Sequence, residues 1–252
     1  MVRRRFETMG MTGIIQVAEQ SVRQSDVAAI FRLWQTIDQR FSPFKKTSEL
    51  SQLNRGELKP EQLSEALKTV LALCEQTQTE TDGFFNITRP DGQIDPSGLV
   101  KGWAIWQGAK LLQTKGYRNF TVEIAGDIQV SGVAQPGRTW RYGIRNPFNP
   151  SEIIKTLALT NAGVATSGNY VQGAHIYDPV SGQNLENVAS LTVIGPNVYE
   201  ADRMATAAFA MGEGGLAFIE KLPGFEAYAV LASGRARLTS GFDRLVLQTS
   251  TA

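Results

Sequence analysis

Two short stretches carry residue types that suit phosphate and metal chemistry. The first is Ile94-Asp95-Pro96-Ser97-Gly98-Leu99-Val100-Lys101-Gly102-Trp103-Ala104. Pro96 fixes its own φ and has no N–H, which pushes Asp95 to an extended conformation. Gly98 has no Cβ, so its backbone can approach a ligand closely. The spacing predicts an amphipathic helix over residues 99–113, and a helix N-terminus offers unpaired N–H groups and a positive dipole end to a phosphate. Lys101 in the first turn suits that dipole poorly, so it is either solvated or neutralising an anion. The bland alternative is a capped helix with a surface lysine. In the second stretch a strand ends at Gly195-Pro196 and a helix over residues 201–211 follows. Asp202 and Thr206 stand at i,i+4 on one face of it. The rest of that helix is small and apolar, so a carboxylate and a hydroxyl within it need partners. A carboxylate, a hydroxyl and a backbone carbonyl, completed by substrate phosphates, can hold Mg²⁺. The alternative is an N-terminal Asp favoured by the dipole and a Thr bonding back to a carbonyl.

These stretches need a scaffold, and the chain has 252 residues to build one. A hydrophobic fraction of 42% is ordinary for a globular protein, and a net charge of +1 argues against a dedicated nucleic-acid surface. The lone Cys74 excludes an intramolecular disulfide and a cysteine metal cluster, and reads as a small buried hydrophobe. Arg3, Arg4 and Arg5 resemble the start of a signal peptide, but no apolar core follows them. No run is long enough to span a bilayer, so the expectation is a cytoplasmic protein without a membrane partner.

Apolar spacing predicts a first strand over residues 6–17, a helix over 24–41, a loop and short capped turn over 41–54, and a helix opened by Pro60. After Gly116 the pattern becomes β, with strands expected over 120–124, 128–133, 140–144, 153–159 and 163–166 in one continuing sheet. A strand over 189–194, a helix ending over 216–219 and late strands over 225–231 and 236–239 follow. The tail from about residue 245 reads as flexible. Strands in hairpin-like runs with helices between them indicate an α+β fold of antiparallel or mixed sheets and packed helices. With no repeat or linker, residues 1–252 read as one domain.

Taken together the motifs resemble the ApbE family of FAD:protein FMN transferases across nearly the whole chain. The resemblance rests on Met9-Gly10, the Ser-Glu-Leu-Ser-x-Leu-Asn run within residues 41–54, Gly83-Phe84-Phe85-Asn86, residues 94–104 and Trp140 to Pro147. It continues through Thr166-Ser167-Gly168, His175-Ile176-Tyr177-Asp178-Pro179 and Ala201-Asp202 to Ala207. It implies an FAD cleft between two lobes, and Mg²⁺-dependent transfer of the FMN half of FAD to a Thr or Ser hydroxyl of an acceptor flavoprotein, with release of AMP. It implies Asp202, Thr206 and the Gly98 carbonyl as metal ligands and Lys101 near the phosphates. Asp95 would sit beside adenine or ribose, or order its turn. Met9, Phe44, Phe84, Phe85 and Ile176 would offer apolar surface to the flat rings, with Asn86 beside them. His175 and Asp202 would act in catalysis, His175 near the reacting hydroxyl. The chain departs from the family pattern at Phe44, where Tyr is common, at Asn86, where Asp is usual, and at Ala125-Gly126, where two glycines are frequent. Only residues 87–93 stand where many members carry a long insertion, and the lipoprotein cysteine is missing. These departures point to a compact cytoplasmic branch, monomeric or homodimeric. Two other activities share the same residues: an FAD pyrophosphatase using water, and a flavin-binding protein without transfer.

Overall fold

The computed structural model of the chain describes residues 1–168 and 187–248. Eight strands form one sheet: β1 (Val2–Thr8), β2 (Met11–Val17), β3 (Phe120–Ile124), β4 (Asp127–Ser131), β7 (Ala162–Gly168), β8 (Val188–Gly195), β9 (Glu226–Leu231) and β10 (Ala236–Leu238), in that spatial order. Every ladder in it is antiparallel. Between β4 and β7 the chain leaves the sheet as a separate two-stranded hairpin, β5 (Trp140–Asn146) and β6 (Asn149–Leu159). The expectation that residues 153–159 continue the main sheet is therefore corrected. Alternation in these strands shows that one face is buried, but not which sheet buries it.

The first predicted strand is two strands. Met9 and Gly10 turn the chain with φ of 51° and 69°, and Thr8 pairs with Met11 across the turn. Such a turn needs positive φ at both central positions, and Asn-Gly is its usual sequence signal. Met9 hides it. Arg3, Arg4 and Arg5 project from β1, the sheet's edge, where exposed charge discourages pairing with another chain.

Among the described residues the helices are α1 (Gln24–Phe41), α2 (Glu49–Asn54), α3 (Glu65–Glu80), α4 (Ser97–Thr114), α5 (Val198–Ala210) and α6 (Gly215–Glu220). Pro60 opens only a 3-10 turn, and α3 starts after Ser64, whose side chain accepts the Leu67 N–H. α5 begins three residues before the predicted start. Asn197 caps it by accepting the Glu200 N–H, and Gln129 Oε1 accepts the Val198 N–H at 2.8 Å.

Three apolar clusters hold these elements. Val27, Ile30, Trp34 and Ile37 of α1 meet Leu99, Ile105 and Leu112 of α4 over Val122 and Ile124 of β3. Ala205, Ala208 and Phe209 of α5 meet Val193 and Ala227. Trp140, Ile144 and Leu157 of the hairpin cover Ile128 and Val164 of the sheet together with Phe242. Cys74 is buried in the first cluster, as expected. Residues 246 and 247, read as soft tail, are tied to β6: Val246 bridges to Leu157, and the Leu247 N–H donates to Thr156 O at 2.8 Å. No helix among the described residues is long and apolar enough to cross a membrane.

Candidate active site

A cleft of about 1220 Å³ runs between the β1–β2 turn, the loop after α1, the N-terminus of α4, the β5–β6 hairpin and the end of β7. Met9, Phe44, Phe84, Phe85, Asn86, Asp95, Gly98, Lys101, Asp202 and Thr206 all line it. His175 and Ile176 lie outside the described residues.

The floor is made where α4 crosses α5. A Cβ on Gly102 would sit 2.5 Å from Asp202 Cβ and 2.8 Å from Val198 O, so glycine permits the crossing. The closeness lets the Gly102 N–H donate to Asp202 Oδ2 at 2.7 Å. One turn earlier on α4, Gly98 O accepts the Thr206 hydroxyl at 3.1 Å. Asp202 and Thr206 thus face α4 from one side of α5, as their i,i+4 spacing requires, and Gly98 meets them from the other helix, as the resemblance implies.

Lys101 is ion-paired rather than free on the surface. Its Nζ lies 2.6 Å from Asp127 Oδ2 and 3.8 Å from Asp202 Oδ1. The anion that the sequence left open includes a pair of carboxylates. Burial pushes the Asp202 carboxyl up to about 7; Lys101 and the Gly102 N–H pull against it, and the neighbouring Asp127 adds to the rise. Asp127 is only 2% exposed. Its Oδ1 accepts the Thr166 N–H at 3.0 Å, whereas Oδ2 meets Lys101 as an ion pair without an aligned hydrogen bond.

The remaining residues sit higher in the cleft. Asp95 orders its own turn: Oδ1 accepts the Ser97 N–H at 3.1 Å and the Ser97 hydroxyl. Asn86 Oδ1 accepts the Thr88 N–H at 2.8 Å. Phe85 is buried against Gly98, and Phe44 is 90% exposed at the mouth. Lining residues that sequence reasoning missed include Asp127 and Glu123, and Thr166, named there only as part of a motif, also lines the cleft. Glu123 is half-buried, and burial raises its carboxyl. The signal for Asp127 was a carboxylate opening a strand otherwise read from Ile128, directly after a turn in which Ala125 and Gly126 both take positive φ.

The donor set suits a hard divalent cation. Asp202, Thr206 Oγ1 and Gly98 O are all oxygens, and the absent Cβ of Gly98 leaves its carbonyl uncrowded. Among the described residues no cluster of three or more His, Cys, Asp or Glu could hold a metal. The protein supplies part of a shell, and water or substrate oxygens must complete it, as Mg²⁺ sites commonly have it.

The sequence model of the ApbE family matches residues 9–91 and 88–229. The chain belongs to the ApbE family. Its relatives include the FAD:protein FMN transferase of Vibrio cholerae, 34% identical over 134 residues, a match covering 49% of this chain and 40% of that protein. The FAD:protein FMN transferase of Haemophilus influenzae is 32% identical over 135 residues, covering 49% and 39%. The matches thus span less than half the length of these two relatives. With the FAD:protein FMN transferase of Chlamydia muridarum the identity is 27% over 253 residues, covering 77% of each chain. The flavin transferase ApbE structure from Vibrio cholerae superposes with a TM-score of 0.84 at 24% identity, covering 97% of this chain and 98% of that one. The ApbE protein of Thermotoga maritima gives 0.84 at 22% identity, covering 98% and 99%. These likenesses show that the ApbE fold, helices packed on antiparallel sheet, is the fold of this chain.

Proposed function

We propose that this ApbE-family chain transfers the FMN moiety of FAD to a Thr or Ser hydroxyl of an acceptor flavoprotein and releases AMP, with Mg²⁺ as cofactor. The observation that carries the reading is the meeting of Asp202 and Thr206 Oγ1 with the first turns of α4, where Gly98 O accepts the Thr206 hydroxyl, on the floor of a cleft also lined by Met9, Phe44 and Phe84. The acceptor oxygen forms a bond to the FMN phosphorus, the pyrophosphate P–O bond breaks, and the electrons leave with AMP.

Asp202, Thr206 and Gly98 would hold the cation, which when bound draws charge from the bridging oxygen. Lys101 places a positive charge beside the same carboxylate and stabilises phosphate oxygens brought there. Met9, Phe44 and Phe84 line the same cleft and would offer apolar surface to the flat rings. His175, from its place in the family motif, takes the proton of the attacking hydroxyl.

The test is to incubate the purified chain with FAD and Mg²⁺, with and without a candidate acceptor, following AMP and flavin fluorescence on a denaturing gel. Fluorescent acceptor with matching AMP is expected. AMP and FMN without labelled protein would replace the reading with a pyrophosphatase. Bound flavin without AMP would replace it with a binding protein.

A further inference from the structure

We propose that Asp127 is a positioning residue that draws the Lys101 ammonium off Asp202 and so leaves that carboxylate open to a divalent cation. The inference rests on the reading of Asp202 as a cation ligand.

Geometry and charge point the same way. Lys101 sits one α-helical turn after Gly98 on α4, close enough to Asp202 to neutralise it. A lysine there is an internal competitor for a metal. It is held instead at 2.6 Å from Asp127 and stands 3.8 Å from Asp202. Asp127 is well anchored for this. It is buried at the start of β4, its Oδ1 is fixed by the Thr166 N–H from β7, and its Oδ2, shielded from solvent, makes the ion pair to Lys101. With both carboxylates ionised, the cluster of Lys101, Asp127 and Asp202 carries one net negative charge. Without Asp127 it carries none, and the carboxylate that holds the lysine off Asp202 is lost. Asp127→Asn sharpens the effect: the amide oxygen can keep the Thr166 N–H, while the amide NH₂ now faces the ammonium.

The measurement is Mn²⁺ affinity of the full chain without flavin, by calorimetry and electron paramagnetic resonance, for wild type, Asp127→Asn, Lys101→Met and the double variant. Asp127→Asn is expected to bind Mn²⁺ about tenfold more weakly, the effect of roughly one unit of electrostatic shift. Lys101→Met should bind at least as tightly as wild type, because it removes the competitor. The double variant should return to within about threefold of wild type, since a cation competition has no strength without the lysine. Wild-type affinity in Asp127→Asn overturns the proposal. A double variant as weak as Asp127→Asn also overturns it and makes Asp127 a ligand instead. If Asp127→Asn fails to fold, Lys101→Met alone decides, and a weakened affinity there refutes the competition. Wild type that binds no Mn²⁺ refutes the cation reading of Asp202 itself, a result distinct from an unaffected Asp127→Asn.

Discussion

The α4–α5 crossing makes Gly102→Ala the most informative single change. A Cβ at 2.5 Å from Asp202 Cβ and 2.8 Å from Val198 O cannot be absorbed by a rotamer, because one of the opposing atoms is backbone. Carbon atoms come to rest at roughly 3.5 Å, so the helices must part by about 1 Å. Overpacking of this kind costs about 1–3 kcal/mol, and alanine returns about 1 kcal/mol of helix propensity. The net loss is then at most about 2 kcal/mol, read as a fall in Tm of no more than roughly 8 °C for a chain of this size. Activity should fall further. The Gly102 N–H that holds Asp202 Oδ2 at 2.7 Å moves with the helix, and a misplacement of about 1 Å can cost roughly a hundredfold in rate. Gly108→Ala is the control. It lies on the same helix, and its Cβ would meet Ile30 Cγ2 at 2.9 Å, a side-chain end far from Asp202. Urea melts and AMP release from FAD are measured on both variants. If Gly102→Ala loses no more activity than Gly108→Ala, the crossing does not position Asp202 and the argument fails.

Three further outcomes are expected. Asp202→Asn should stabilise the cation-free protein at high pH: a carboxyl raised from 3.8 to about 7 contributes stability below about pH 4 that is lost as pH rises through 7. The gain of the variant over wild type should be near zero at pH 4 and level off above pH 7 at no more than about 4 kcal/mol, and parallel Tm–pH curves for the two proteins would contradict it. Thr206→Val keeps the shape but removes the hydroxyl bonded to Gly98 O, so stability should drop by about 1 kcal/mol and Mg²⁺ affinity should weaken; an unchanged calorimetric affinity takes Thr206 out of the ligand set. Cys74 is 1% exposed and its thiol is pushed up to about 12 by burial, so native protein at pH 8 should resist alkylation and denatured protein should not; equal labelling rates would show that the α3 face is open.

The sequence was most legible where one face of one element decides burial. The α1 pattern of Val27, Ile30, Trp34 and Ile37 is the core face found in the fold, and β3 spans the residues expected of it. Asp202 and Thr206 were legible for the same reason, since their relation is local to one helix. Long-range relations were not. The partner of Lys101 lies on another element and comes close only through the pairing of β3 with β4 and the packing of α4 beside them, so no spacing rule reaches it. The start of α5 was hidden because its cap is shared between Asn197 and Gln129, the latter on a different strand. The β1–β2 turn was hidden because Met9 adopts a conformation that its side chain does not advertise.

The hairpin of β5 and β6 departs from β4 and returns to β7, and those two strands pair directly with each other. One wall of the cleft is thus an excursion from an already closed ladder. Its length, tip and outward side chains can drift over generations, or be exchanged by an engineer, while the strands that bear Asp127 and Thr166 keep their register. Exchange is bounded by Trp140, Ile144 and Leu157, which seal the hairpin to the sheet. Beyond that seal, Phe148 and Ile153 stand 58% and 46% exposed. The fold separates a floor that must stay fixed from a wall that is free to be rewritten.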